Sequence, residues 1–206
     1  MIEFIIGSSL AASAGLNAWM PLFLLGLSDR LLPAVDLPGG WSWLSSDIAL
    51  WIVGALLVLE IVADKIPALD SVNDIVQSIL RPASGGIAFG AGASAQTVAV
   101  DDPSAFFSES TWAPIVAGIV IALIVHVVKA TGRLAANTAT AGLAAPVLST
   151  VEDGASFALA AAAIVVPVLA LLLLIGLIVA AVLIVRRTAR RRRERIPRQP
   201  GSGVQT

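Results

Sequence analysis

The chain has no cysteine, which excludes disulfides, thiolate metal ligands and a cysteine nucleophile. It has a single histidine, His126, so a multi-histidine metal centre is excluded as well. Charge is scarce: 13% of the residues are charged and 57% hydrophobic, with a mean hydropathy of +0.91. Soluble domains carry about 25% charged residues, so this composition reads as an integral membrane protein. The familiar catalytic patterns are missing too: there is no phosphate-binding Walker loop, no HExxH and no Ser-His-Asp arrangement at a credible elbow. No enzyme, no metal and no cofactor is expected. Asp70 and Asp74 lie one helical turn apart, but two carboxylates without further ligands are a poor cation site. Gly85-Gly86 with Gly90 and Gly92 lies in an apolar segment and reads as close helix packing.

Basic residues are few and unevenly placed. Eight of the 13 Lys and Arg lie in Arg186–Arg198, which leaves five basic against 13 acidic residues before Arg186, a balance of −8. A run of arginines directly after an apolar helix reads as a positive-inside anchor, which puts the C-terminus in the cytoplasm. The run Arg186–Arg195 also suits anionic lipid headgroups. Nucleic acid is not an expected partner, because nothing folded accompanies the run. The tail 186–206 is expected to be basic, disordered and cytoplasmic.

Residues 1–185 read as a single integral membrane domain of all-α, polytopic class. About four full transmembrane helices are expected, with short interrupted, re-entrant or interfacial helices between them. Ile2–Leu27 reads as a first span, kinked at Pro21 near Asn17, with Gly7, Ala11 and Gly15 as a small-residue stripe for close contact. A broken helix with open backbone is the alternative. Ser28–Asp47 is a loop with interfacial Trp41 and Trp43. Ile48–Ala63 is the second span. Ala83–Val100 reads as a packed helix or a re-entrant half. Asp101–Ser110 is a polar connector. Trp112–Val128 is the third long span and Ala155–Val185 the last, with Pro167 and Gly176 allowing a kink. With four full spans, and the interrupted segments returning to their own side, the N-terminus is cytoplasmic too; a full crossing by Ala83–Val100 changes that parity.

The informative stretch is Glu60 to Pro82. Its charges follow an apolar run directly, and charges at membrane depth must face a bundle interior, water or headgroups. Asp70, Asp74, Gln77 and Arg81 share one helix face at spacings of four, three and four. His126, Lys129, Arg133 and Asn137 form a comparable face later in the chain, and Glu152-Asp153 closes that segment. The halves 48–100 and 112–163 therefore share a plan of span, charged exit, polar-faced helix, proline and small residues. An inverted repeat would place a site at the interface of the halves; helical membrane proteins also look alike at this coarseness. The complementary signs predict that Asp64, Asp70 and Asp74 meet Lys129 and Arg133, and that Arg81 meets Glu152 or Asp153. The other reading leaves both faces in interfacial water.

At these residues the chain resembles a known family. Gly15-Leu-Asn-Ala-Trp-Met-Pro21 is similar to its opening, and Ala63-Asp-Lys-Ile-Pro67 with Arg81-Pro82 to its central motif. His126-Val-Val-Lys129 through Arg133 and Asn137, with Glu152-Asp153, is similar to its second-half motif. The family is the DUF4126 group of bacterial membrane proteins, and the resemblance covers about residues 8–185. In this chain Ala139-Thr-Ala-Gly-Leu stands where the family pattern has a Pro-containing turn after Asn137. The resemblance implies a membrane location and no particular activity.

Two functions fit. The first is a small transporter or permease in the plasma or inner membrane, moving an unknown small substrate or ion through a charged cleft. Its pathway candidates are Asn17, Glu60, Asp64, Lys65, Asp70, Asp74, Arg81, His126, Lys129, Arg133, Asn137, Glu152 and Asp153. The second is a non-transporting scaffold whose charges are structural pairs. A homo-oligomer is compatible with either.

Overall fold

The structure is a computed structural model describing residues 1–97, 99–100 and 112–194, with backbone alone for 67–72, 74 and 187–194. Among the described residues it holds seven α-helices and no strand. They are α1 (Ile2–Leu16), α2 (Met20–Leu31), α3 (Asp47–Ala63), α4 (Pro67–Ser94), α5 (Trp112–Thr140), α6 (Ala145–Val165) and α7 (Pro167–Glu194), with one 3-10 turn at Ser42–Ser45. Three are long and apolar enough to cross a membrane: α5, α6 and α7 as far as Arg186.

α1 is the hub. From Ile6 to Leu16 every residue is buried, because α4, α5, α6 and α7 all pack around it. Small residues permit the close approach. The ring of Phe89 fills the place of a side chain at Gly7, and Val125 and the Ala122 carbonyl fill that at Gly15. At the α4–α5 crossing Gly85 and Gly118 face each other backbone to backbone; a Cβ on either would overlap the other helix.

The first segment is not one kinked span. α1 stops at Leu16, Asn17 is extended (φ −144°, ψ 119°), and α2 turns back. Along α2 the neighbours on α3 run in reverse: Ala18 meets Glu60, Phe23 meets Gly54, Gly26 meets Leu50 and Arg30 pairs with Asp47. Along α1 the neighbours on α4 run in reverse as well, with Gly15 opposite the Gly85–Ala122 contact, and Ile6 and Leu10 opposite Gly92. α3 and α4 are themselves antiparallel, since Glu60 near the end of α3 meets Arg81 in α4. α1 and α2 are therefore a helical hairpin, entering and leaving at the same end of the bundle. The break falls at Asn17 because that side chain caps the new helix: its Oδ1 accepts from the N–H groups of Trp19 (3.2 Å) and Met20 (3.1 Å). Pro21 then lies in the first turn of α2, where its missing N–H costs nothing.

Other expectations also change. α4 runs unbroken for 28 residues through Pro82, so of the two readings of Ala83–Val100 the packed helix holds as far as Ser94 and the re-entrant half does not. α5 is continuous to Thr140, and 131–140 is its last portion. The chain turns there on Ala141 (φ 51°) and Gly142 (φ 87°), with the Gly142 N–H bonded to the Asn137 carbonyl at 3.0 Å. Two left-handed residues and a 6→1 bond end a helix without proline. The expected span Ala155–Val185 is two helices. α6 starts at Ala145 and already contains Glu152 and Asp153, and the chain reverses at Val166–Pro167. Gly176 lies inside α7, where a Cβ would meet open space, and it makes no break.

α6 runs antiparallel to α1, since Ser13 meets Ser156 and Asn17 meets Asp153. α7 returns, bringing Ile184 beside Gly132 of α5. Met1 therefore lies at one end of the bundle and Arg186 at the other. The expectation of both termini on one side counts four spans; in the bundle α1–α2 returns to its own end, α4 runs on through Ser94, and α6 and α7 are separate helices. The expected polar connector Asp101–Ser110 and the tail beyond Glu194 lie outside the described residues.

Candidate functional site

α3, α4, α5 and α6 bring their charged residues to one layer, toward the end of the bundle away from Met1. The tip of the α1–α2 hairpin reaches the same layer. Glu60 (2% exposed), Asp64 (1%), Arg81 (0%), Lys129 (6%) and Arg133 (2%) are buried in it.

Arg81 lies deepest. Its Nη2 donates to Glu60 Oε1 at 2.9 Å and lies 3.5 Å from Asp64 Oδ2; its Nε is 3.3 Å from Glu60 Oε1. Its Nη1 is 3.1 Å from His126 Nδ1. An arginine has no lone pair to offer, so Nδ1 is the acceptor there. The ring proton then sits on Nε2, which faces Ser78 Oγ at 3.1 Å. Glu60 also accepts from the Ala18 N–H (3.0 Å), one of the backbone groups released where α1 ends. Asp64 is the centre of the layer. Its Oδ2 receives Lys129 Nζ (3.3 Å) and Arg133 Nη2 (3.2 Å), and its Oδ1 receives Asn73 Nδ2 (2.5 Å). Lys129 Nζ also donates to the Leu16 carbonyl at 2.6 Å, satisfying the acceptor opposite the break. Backbone freed at a helix break inside a bundle must find such partners.

α6 closes the layer from its outer side. Glu152 Oε2 takes Arg133 Nη2 (2.6 Å), Arg133 Nε (3.0 Å) and Lys129 Nζ (3.2 Å). Asp153 takes Lys65 Nζ (3.1 Å) on one oxygen and Asn17 Nδ2 (3.0 Å) on the other. Exposure rises here: 15% for the Glu152 side chain, 12% for Asp153 and 36% for Lys65. The layer thus grades from a sealed interior at Arg81 to a mouth at Lys65. Four cations (Lys65, Arg81, Lys129, Arg133) meet four carboxylates (Glu60, Asp64, Glu152, Asp153) among the described residues. Such balance is what permits the burial, since an isolated charge in low dielectric costs several kcal/mol.

Of the residues the sequence singled out, the structure joins Glu60, Asp64, Arg81, His126, Lys129, Arg133 and Glu152 in one network, and joins Asn17, Lys65 and Asp153 in a second, smaller group at the same layer. The expected partnership of Asp64 with Lys129 and Arg133 is present. Arg81 differs: it pairs with Glu60 and Asp64 from α3, and the α6 carboxylates go to Lys65, Lys129 and Arg133. Antiparallel packing of α3 on α4 puts Glu60 within reach first. Asn137 lies one turn beyond Arg133 on α5. Asp70 and Asp74 lie on α4, and their side chains are outside the described residues. Two side chains escaped the sequence reading, Asn73 and Ser78, while the backbone groups of Leu16 and Ala18 answer to the broken-helix alternative. Asn73 continues the Gln77–Arg81 face by one turn, so the periodicity could have found it. No group of three or more His, Asp or Glu arranged to hold a metal ion occurs among the described residues.

Fold and site together define an all-helical protein, with three helices able to cross a membrane and a buried, balanced charge layer at a helix break. The chain belongs to the family described as domain of unknown function DUF4126, whose model matches residues 4–187. No curated protein and no solved structure matches the chain.

Proposed function

We propose that this protein is a small membrane transporter whose substrate passes through the charge layer. One observation carries the reading: a helical hairpin ends inside the bundle, and its freed backbone groups (Leu16 C=O, Ala18 N–H) are held by Lys129 and Glu60 of that layer. Interrupted helices meeting ionisable side chains at membrane depth are the usual construction of a transporter site. The mouth at Lys65, Glu152 and Asp153 supplies the approach from one side. In this reading α3 to α7 cross the bilayer and the hairpin enters it from the Met1 side. The arginine run is cytoplasmic, near anionic headgroups, and Met1 faces the opposite compartment.

The test is uptake into proteoliposomes of purified protein, run over small anions, cations and neutral metabolites with a pH gradient of either sign. A flux for one class is expected in the wild type, reduced at least tenfold in Lys129→Met. Absence of flux for every class, with the protein correctly inserted, refutes the reading. The runner-up is a membrane scaffold, favoured by the completeness of the pairing: Arg81, Asp64 and Glu60 have at most 2% of their surface exposed.

A further inference from the structure

We propose that Lys129 and Arg133 form a seat for a small monocarboxylate, occupied in this structure by the side chain of Glu152 as a tethered stand-in. The proposal names a substrate class for the transport reading and rests on it for its functional meaning.

The geometry singles out Glu152 among the four carboxylates. Three donors from two cations converge on its Oε2, at 2.6, 3.0 and 3.2 Å. The Nε and Nη2 edge of a guanidinium with an ammonium beside it is an anion receptor built from its strongest available donors. The cations themselves are sealed, with side chains 1% and 2% exposed, whereas Glu152 is 15% exposed. The seat therefore belongs to the interior and its occupant comes from the mouth. Asp64 Oδ2 is also met by Lys129 and Arg133, but Asp64 is 1% exposed, has Arg81 as a third cation and is held on its other oxygen by Asn73. It is part of the seat's back wall.

Charge selects the ligand. With Glu152 withdrawn, the described layer holds four cations against three carboxylates, and one negative charge restores the balance. A monoanion fits; a dianion such as phosphate would add a second charge beside Asp64, which shares both cations, at a cost of several kcal/mol in a buried setting. The ligand must also be small, because it replaces only a side-chain carboxylate between α5 and α6. Withdrawal requires only that the Glu152 side chain, already 15% exposed, turn outward toward the mouth.

The experiment is chemical rescue in the purified full chain, with acetate and formate as probes and chloride at matched ionic strength as the control. Glu152→Ala empties the seat. Glu152→Gln keeps its shape with a neutral occupant, which a carboxylate displaces more easily than the native one. Thermal midpoints are expected to rise by several degrees with acetate, saturably, in the order Ala variant, Gln variant, wild type. Adding Arg133→Met to the Gln variant should abolish the response. Equal responses to acetate and chloride, or equal responses of the Gln variant and the wild type, overturn the proposal. Uptake assays separate the two claims. Rescue without carboxylate uptake keeps the seat and removes transport; uptake of another solute without rescue removes the seat and keeps transport.

Discussion

Arg81→Met should destabilise the protein by about 3–5 kcal/mol, the usual cost of leaving one member of a buried ion pair alone. The guanidinium is fully buried and serves Glu60, Asp64 and His126 at once. Without it Glu60 keeps only the Ala18 N–H among its described hydrogen-bond partners. Folding yield and thermal midpoint in detergent report the loss. Arg81→Lys is expected to recover little, because an ammonium cannot reach Glu60 on one side and His126 on the other as the planar fork does. The double variant Arg81→Met/Glu60→Gln removes both charges and should be more stable than Arg81→Met alone. If Arg81→Met retains the wild-type midpoint, the arginine is not a buried partner of Glu60.

Asp64→Asn should be at least as damaging, for the opposite reason. It leaves Arg81, Lys129 and Arg133 converging on a neutral amide, so the penalty adds like-charge repulsion to a lost acceptor. We expect a loss of about 3–5 kcal/mol, and partial recovery when Lys129→Met is added. The two substitutions should couple by about 0.5–3 kcal/mol in a double-mutant cycle, as contacting charges do. Strict additivity would mean that the two side chains do not meet.

The charged faces were legible because helix periodicity is a local property. His126, Lys129 and Arg133 project inward as a single stripe, and Arg81 and Gln77 do the same on α4. Opposite that polar face of α4, Val76 and Ile79 are exposed, as residues facing lipid would be. The partners were less legible. Opposite signs could pair in several ways, and which pairs form depends on register. α3 lies antiparallel on α4, and a hairpin loop leaves that order open to Glu60 or to the α6 carboxylates. The break at Asn17 was legible only as the alternative of a broken helix, and that the chain turns back there was not legible at all. Pro21 drew attention as a breaker, yet a proline in the first turn of a helix is harmless, and the break came from the capping Asn17 four residues earlier. Pro82 misled in the other direction. α4 passes through it unbroken, with Gly85 and Gly86 packed tightly on α5 a turn later. At Pro167 the chain does break, and reverses. Pro21 and Pro167 thus both stand in the first turn of a helix that follows a reversal, whereas Pro82 stands inside one.

The central claim is that α1–α2 dips into the membrane and returns, delivering its tip to the charge layer. The absence of native cysteine makes a direct measurement available. Single cysteines at the exposed positions Ile2, Ala34 and Thr140 would be labelled with a membrane-impermeant thiol reagent applied to each face of oriented vesicles. The account predicts that positions 2 and 34 label from the same face and position 140 from the other. Labelling of positions 2 and 34 from opposite faces would make α1–α2 a crossing segment and contradict it.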